Sequence, residues 1–208
     1  MRNSKVVILG TAHGVNVAGK RSPDGVFREY RYSRDICRLV KKKLEAMGYM
    51  VVVDWPNDEV PAQQTDELML RANIVNDICQ AYGKGNCVYV SIHCNAAGNG
   101  KEWMSARGWS VYTTIGQTKS DELATCLWDA AKEILPQTHK SAVRADRTDG
   151  DPDMEQNFYV LRATNCPAVL TENLFQDNKD DVAYLETFEG RDAIAKLHAV
   201  GIDKFLRN

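Results

Sequence analysis

The sequence predicts an α/β fold: a single domain, residues 1–208, built on a twisted, mostly parallel sheet of about six strands with helices on both faces. Two observations predict it. Short apolar, β-branched runs alternate along the chain with longer stretches of three- and four-residue apolar spacing, and helices placed between buried strands argue for a sheet covered on both sides. No linker, low-complexity tract or repeat divides the 208 residues, and that length suffices for one full hydrophobic core.

Each element has its own signal. Residues 5–9 form a β-branched run ending in Gly10, which reads as a buried strand. Residues 33–47 read as an amphipathic helix, with Ile36, Leu39, Val40, Leu44 and Met47 on one face and Gly48 as its stop. Residues 50–53 are the next strand. Residues 66–82 are a second helix, with Leu68, Ile74, Val75 and Ile78 on its apolar face and Gly83 after it. Residues 87–92 and 109–113 read as strands, and residues 121–135 as a helix ended by Pro136. Residues 158–161 and 168–171 complete the strands, and residues 190–206 close the chain as a helix. Two stretches lack periodicity, 96–108 and 136–157; the second is rich in Asp, Arg, Thr and Gly, and loops that long in a compact domain are usually functional or mobile.

Composition narrows the function. Apolar residues make up 44% and charged residues 26%, and the net charge is −2 with Lys and Arg spread along the chain. A nucleic-acid partner would call for a concentrated basic face, and a weakly acidic balance gives no long-range attraction to anionic membranes. The six cysteines form no Cys-x-x-Cys pair, which argues against a thiolate metal site and for buried free thiols. The run Val6-Val7-Ile8-Leu9 is too short for a signal-peptide core or a membrane span, so no export signal is expected in the chain as given.

Chemistry concentrates where polar residues follow the apolar strands. His13 lies just past residues 6–9, His93 just past 88–92, and Glu172 just past 169–171. The carboxyl edge of an open α/β sheet is where ligands bind, so three parallel neighbouring strands would bring these side chains to one cleft. Glu29, about a turn before the first amphipathic helix, adds a carboxylate near a helix N-terminus. Two imidazoles and one carboxylate make a known catalytic zinc shell with a fourth position for water, and a second carboxylate can take the proton from that water. Taken singly, a histidine at a strand end is more often a satisfied polar group than a ligand; the coincidence of four residues carries the reading. His139 reads as a surface residue of the long loop and His198 as a structural residue inside a helix. Arg144 and Arg147 can face the cleft and pair with a peptide carboxylate. Trp103 and Trp109 can line a sugar-binding rim, although Trp109 can equally be core.

The chain resembles the zinc N-acetylmuramoyl-L-alanine amidases of the amidase-3 type from Val6 to Phe205. The segments that carry the resemblance are Val7-Ile8-Leu9-Gly10-Thr11-Ala12-His13-Gly14, Glu29 with the helix and strand that follow, Leu70-Arg71-Ala72-Asn73, Ser91-Ile92-His93-Cys94-Asn95-Ala96, Arg107-Gly108-Trp109-Ser110-Val111-Tyr112, and Pro167-Ala168-Val169-Leu170-Thr171-Glu172. The family's Ser-Ile-His-x-Asn-Ala is the most specific of these. The resemblance implies one catalytic domain over residues 1–208 that cleaves the amide between N-acetylmuramic acid and L-alanine in peptidoglycan, acting at the bacterial wall. It implies His13, Glu29 and His93 as Zn2+ ligands and Glu172 as general base and acid, with Asn95, Arg144 and Arg147 as candidate substrate contacts. The chain departs from the family at the first ligand, where Gly-Thr-Ala-His-Gly replaces Asp-x-Gly-His-Gly-Gly, and after Glu172, where Asn173-Leu174-Phe175 replaces Thr-Gly-Phe.

Three other readings compete. A zinc carboxypeptidase-like peptidase would place its first two ligands a few residues apart, whereas His13 and Glu29 are widely separated. A non-catalytic peptidoglycan-binding module would have no need of all four residues. A cysteine hydrolase using Cys94 beside His93 meets the objection that adjacent strand residues point to opposite faces.

Overall fold

The computed structural model describes residues 5–140 and 142–208. Met1 to Ser4 lie outside the described residues.

Six strands form one sheet. They are β1 (Val6–Thr11), β2 (Met50–Val53), β3 (Cys87–Asn95), β4 (Ser110–Thr113), β5 (Met154–Glu155) and β6 (Ala168–Phe175), in the order β2-β1-β3-β6-β4-β5. The first four positions in that order run parallel; β4 is antiparallel to β6, and β5 runs parallel to β4. Seven α-helices accompany them among the described residues: α1 (Glu29–Ala46), α2 (Gln64–Tyr82), α3 (Lys119–Ile134), α4 (Gln137–Lys140), α5 (Tyr159–Arg162), α6 (Lys179–Leu185) and α7 (Phe188–Arg207).

The strands alternate their side chains between two cores, as a sheet covered on both faces requires. Val7 and Leu9 of β1 and Val88, Val90, Ile92 and Cys94 of β3 join residues of α1, α3 and α7. Val6, Ile8, Cys87, Tyr89 and Leu170 face the other way, against Val75 and Cys79 of α2 and Val160 and Leu161 of α5. Helix starts carry the expected chemistry: Thr118 and Asp121 form a reciprocal capping box at α3, and Asn178 and Thr187 cap α6 and α7.

Three differences from the sequence expectation have physical reasons. Residues 158–161 are not a strand: Tyr159–Arg162 is a single helical turn, α5, whose Val160 and Leu161 are buried. A four-residue apolar run bears no periodicity long enough to separate a buried helical turn from a strand. The sixth strand is instead β5, two residues paired to Tyr112 and Thr113 inside the stretch that lacks apolar spacing. The first helix begins earlier than expected, so that Glu29 is its first residue. Strands β3 and β6 also run beyond their apolar segments, which puts His93 and Glu172 within the sheet rather than after it. The cysteines are all free and five of the six are buried, as expected of packing thiols. No helix among the described residues is long and apolar enough to cross a membrane.

His198 lies on the buried face of α7, 0% exposed. Its Nδ1 is 2.7 Å from the Ile194 carbonyl and its Nε2 2.9 Å from the Thr171 hydroxyl, which fixes the neutral ring with the proton on Nδ1. Burial lowers its pKa to about 4, against a small opposing contribution from the Ile194 carbonyl. The unfolded value is near 6.5, so the stability contributed by the neutral ring is complete above pH 6.5 and is lost as pH falls toward 4. Denaturant titrations at pH 7 and pH 4.5 should show His198→Gln losing about 2 to 3 kcal/mol less stability over that interval than the parent chain. An equal loss in both would contradict the assignment.

Candidate metal centre and active site

Glu29, His13 and His93 come from three elements and meet at the carboxyl edge of the sheet. His93 projects from β3, Glu29 opens α1, and His13 sits in the turn two residues beyond β1. One ligand atom from each lies within 4.8 Å of the others. Glu29 Oε1 is 3.2 Å from His93 Nδ1 and 3.7 Å from His13 Nε2, and the two imidazoles are edge-on with ring centres 5.1 Å apart. Glu29 is 1% exposed.

The protonation states suit a cation. Burial lowers the His13 pKa to about 3, overriding the attraction of Glu29. Burial alone would raise Glu29, but the two imidazoles beside it prevail and hold it at about 2. At neutral pH His13 therefore offers a neutral nitrogen and Glu29 an ionised oxygen, the forms in which these groups bind metal. Outer contacts fix the ligands. His93 Nε2 is 3.0 Å from the Ser91 hydroxyl, which leaves Nδ1 turned toward Glu29. Glu29 accepts the Cys94 N–H at 3.2 Å and the Gln176 side-chain amide at 3.3 Å.

The turn that carries His13 is set by the chain around it. His13 itself has φ +41, a left-handed conformation uncommon for a residue with a side chain. Its carbonyl accepts from Arg34 Nη2 at 3.0 Å and from Arg71 Nη2 at 3.3 Å. Arg34 also donates to the carbonyls of Ala12, Tyr30 and Asn57. Ser33 accepts the Ala12 N–H at 2.8 Å and donates to the Ile92 carbonyl at 2.6 Å, so one hydroxyl joins the His13 turn to β3. Arg71 is paired in turn with Asp54 at 3.0 Å and Glu67 at 3.1 Å, and Tyr89 donates to Asp54. Gly10 lies against this network: a Cβ there would stand 2.4 Å from the Tyr89 oxygen. Gly14 is equally confined, since its Cβ would meet the Asp58 carbonyl at 2.8 Å.

Glu172 is the Cα partner of His93 on the adjacent strand and projects to the same face. Its Oε2 is buried with no hydrogen-bond donor among the described residues. Burial first, and the charge of Glu29 second, push its carboxyl well above the ordinary carboxylate range. Together with His13 and His93 it lines a pocket of about 220 Å³, walled on one side by Phe158, Tyr159 and Val160 of the α5 segment. Lys20 and Arg71 supply positive charge at the same pocket. Two nitrogen donors and an ionised oxygen donor, beside an orphaned carboxylate oxygen, are a donor set that fits zinc.

The remaining expected residues are more dispersed. Asn95 lies two residues beyond His93 on β3, its side-chain oxygen accepting the Ala96 N–H at 2.8 Å. Arg144 lies over the Phe175 ring at the end of β6, and Arg147 over Trp128 of α3. Trp109 is core, 0% exposed and donating to Asn173. His139 is not a surface residue: it is 6% exposed, stacks on Tyr184 at 4.3 Å and lies 3.6 Å from Asp181. Cys94 belongs to the core on the face of the sheet opposite His93, and burial drives its thiol pKa far up, so it cannot serve as a nucleophile with that histidine. The positioning residues Ser33, Arg34 and Asp54 carry no signal in the sequence reading; a buried arginine shows its purpose only when the carbonyls it serves are located.

The fold recurs in known proteins. The chain belongs to the N-acetylmuramoyl-L-alanine amidase family, whose model matches residues 7–204. It is 31% identical to an endolysin of Bacillus phage SPP1 over 206 residues, which are 98% of this chain and 66% of that protein. It is 24% identical to the amidase AmiC of Neisseria meningitidis, over 97% of this chain and 52% of that protein. The chain thus spans about half to two thirds of the length of the curated relatives it matches. Among solved structures, an N-acetylmuramoyl-L-alanine amidase from Clostridium difficile 630 superposes with a TM-score of 0.80 at 26% identity, over 99% of this chain and 98% of that one.

Removing Arg71 strips buried Asp54 of its cationic partner, leaving it the Tyr89 hydroxyl and the Thr11 N–H, and takes one of two donors from the His13 carbonyl. Arg71→Ala should lower unfolding free energy by about 3 to 5 kcal/mol in denaturant titrations, the usual effect of leaving a buried charge unpaired. A value within about 1 kcal/mol of the parent would show that the network is incidental.

Proposed function

We propose that the chain is a zinc-dependent hydrolase that cleaves the amide between the lactyl group of N-acetylmuramic acid and L-alanine in peptidoglycan. The observation that carries this reading is the convergence of His13, Glu29 and His93 beside the orphaned carboxylate of Glu172, in a chain of the amidase family. Zinc bound by those three residues supplies Lewis acidity for a developing oxyanion and acidifies water toward a pKa of about 7.

The protein's residues do the rest. Glu172 stands on the open side of the cluster with one oxygen free to take a proton from the attacking water and return it to the leaving amine. The wall formed by Val160, Phe158 and Tyr159 keeps that carboxyl poorly solvated, and burial with the nearby charge of Glu29 raises it above the ordinary carboxylate range, which suits a group that must return a proton as well as take one. Ser91 and Gln176 orient His93 and Glu29, and the Arg34–Arg71 pair holds the His13 turn. Asn95, Arg144 and Arg147 stand outside the pocket wall, so their part is with portions of a polymeric substrate beyond the scissile bond. The chain acts at the bacterial wall, as the names of its endolysin and amidase relatives suggest.

Two substitutions separate binding from chemistry. Glu172→Ala should keep zinc at one equivalent by elemental analysis while turnover of purified peptidoglycan falls at least about 100-fold; near-normal turnover would remove Glu172 from the role. His93→Ala should lose metal and activity together, and full zinc occupancy in that variant would overturn the ligand set. Mass spectrometry of the digest should find free stem peptide beginning with L-alanine; release of a single terminal residue would point to a peptidase instead.

A further inference from the structure

A second group of acids lies away from the first, where the end of β4 and the start of α3 meet the chain returning toward β5. One carboxylate oxygen from each of Asp121, Asp151 and Asp153 lies within 4.8 Å of the others. Asp121 is 4% and Asp153 1% exposed, and Asp151 is half-buried. Their hydrogen bonds leave a deficit. Asp121 Oδ2 accepts the Thr118 N–H at 2.5 Å and hydroxyl at 2.9 Å, and Asp151 Oδ2 accepts from Gln117 at 2.8 Å. The Thr113 hydroxyl lies 2.5 Å from Asp153 Oδ2 and 3.4 Å from Asp121 Oδ1, and it has one proton to give. Asp151 Oδ1 and Asp153 Oδ1 are both removed from solvent and have no donor at all.

Buried carboxylate oxygens without donors are stable only with a proton or a cation between them. Burial and the contact with Asp151 raise Asp153 to about 7, so a shared proton answers the deficit on the acid side of neutrality. Above that, the donor set itself indicates what can take the proton's place. It is all oxygen, with no imidazole or thiolate, and the acids alternate along Asp149-Gly150-Asp151-Pro152-Asp153 with Gly150 at φ +112 making the turn. Oxygen-only sites with flexible geometry suit hard cations, and calcium in particular, whereas the two imidazoles of the first site suit zinc.

We propose that Asp121, Asp151 and Asp153 form a second metal site, for Ca2+, that fastens residues 149–153 to the end of β4 and the start of α3. The consequence reaches the first site through the chain. β5 follows at Met154–Glu155, and Phe158 and Tyr159, which wall the pocket beside Glu172, come three residues later. A cation here fixes the segment that delivers that wall.

The test uses the zinc-loaded full chain and calcium chloride alone. Calorimetric titration at pH 7.5 should give one site with a Kd of about 0.01 to 1 mM. A hundredfold excess over Kd should raise Tm by about 5 °C. Asp151→Asn, at the least buried of the three positions, should weaken calcium at least about tenfold while near-UV circular dichroism and zinc content stay at the parent's level. Asp153→Asn should do the same. The proposal is overturned if calcium up to about 10 mM, beyond the weakest protein sites, gives neither heat nor a Tm shift. It is also overturned if both variants bind calcium as the parent does, or if the calcium effect is lost in His93→Ala and retained in Asp151→Asn. A rise in stability of Asp153→Asn that is indifferent to calcium would assign the pair to a shared proton and equally refute the metal.

Discussion

The carboxylate of Glu29, buried between the imidazoles of His13 and His93, is the constraint on which the rest of the site depends. A lone carboxylate removed from water would take up a proton; this one stays charged because His13 and His93 stand against it and an N–H and a side-chain amide bond to it. The opening turns of α1 supply more than the ligand. Glu29, Ser33 and Arg34 are all buried there, and the last two bind the backbone of the His13 turn, with Ser33 also reaching β3. One short length of helix therefore carries one candidate ligand and fixes the approach of the other two.

The sheet provides the remaining precision. Parallel pairing of β3 with β6 sets His93 and Glu172 side by side at fixed register, and alternation sends both toward the pocket and Cys94 away from it. Polar residues inside otherwise apolar central strands are expensive unless paired. Here the departure from local rules coincides with the candidate site. The left-handed His13 and the orphaned Glu172 oxygen are further departures at the same place, and they persist because Arg34, Arg71 and the packing around Gly10 and Gly14 over-determine the turn.

Much of this was legible in the sequence because the governing signals are local. Apolar runs such as Val6 to Leu9 and heptad-like spacing such as Ile36 to Leu44 report burial on one face, and ionisable residues at the ends of those runs report the functional edge. Other features escaped for equally physical reasons. The run at 158–161 was too short to show a period and folded as a turn of helix; β5 has two residues and hardly any pattern. His139 sits in an aperiodic stretch where nothing local foretells that Asp181 and Tyr184, forty residues on, will enclose it. The buried arginines act through backbone carbonyls, and carbonyls are the same in every sequence. The choice of Glu29 over Glu172 as metal ligand rests on resemblance to a family rather than on spacing.

Anomalous diffraction at the zinc edge, from crystals of the full chain grown with zinc, tests the central claim most directly. The predicted result is one peak at about 2.0 to 2.2 Å from His13 Nε2, His93 Nδ1 and a Glu29 oxygen, with Glu172 near it but outside bonding distance. A peak bound by other residues, or none at these three with zinc in excess, would contradict it.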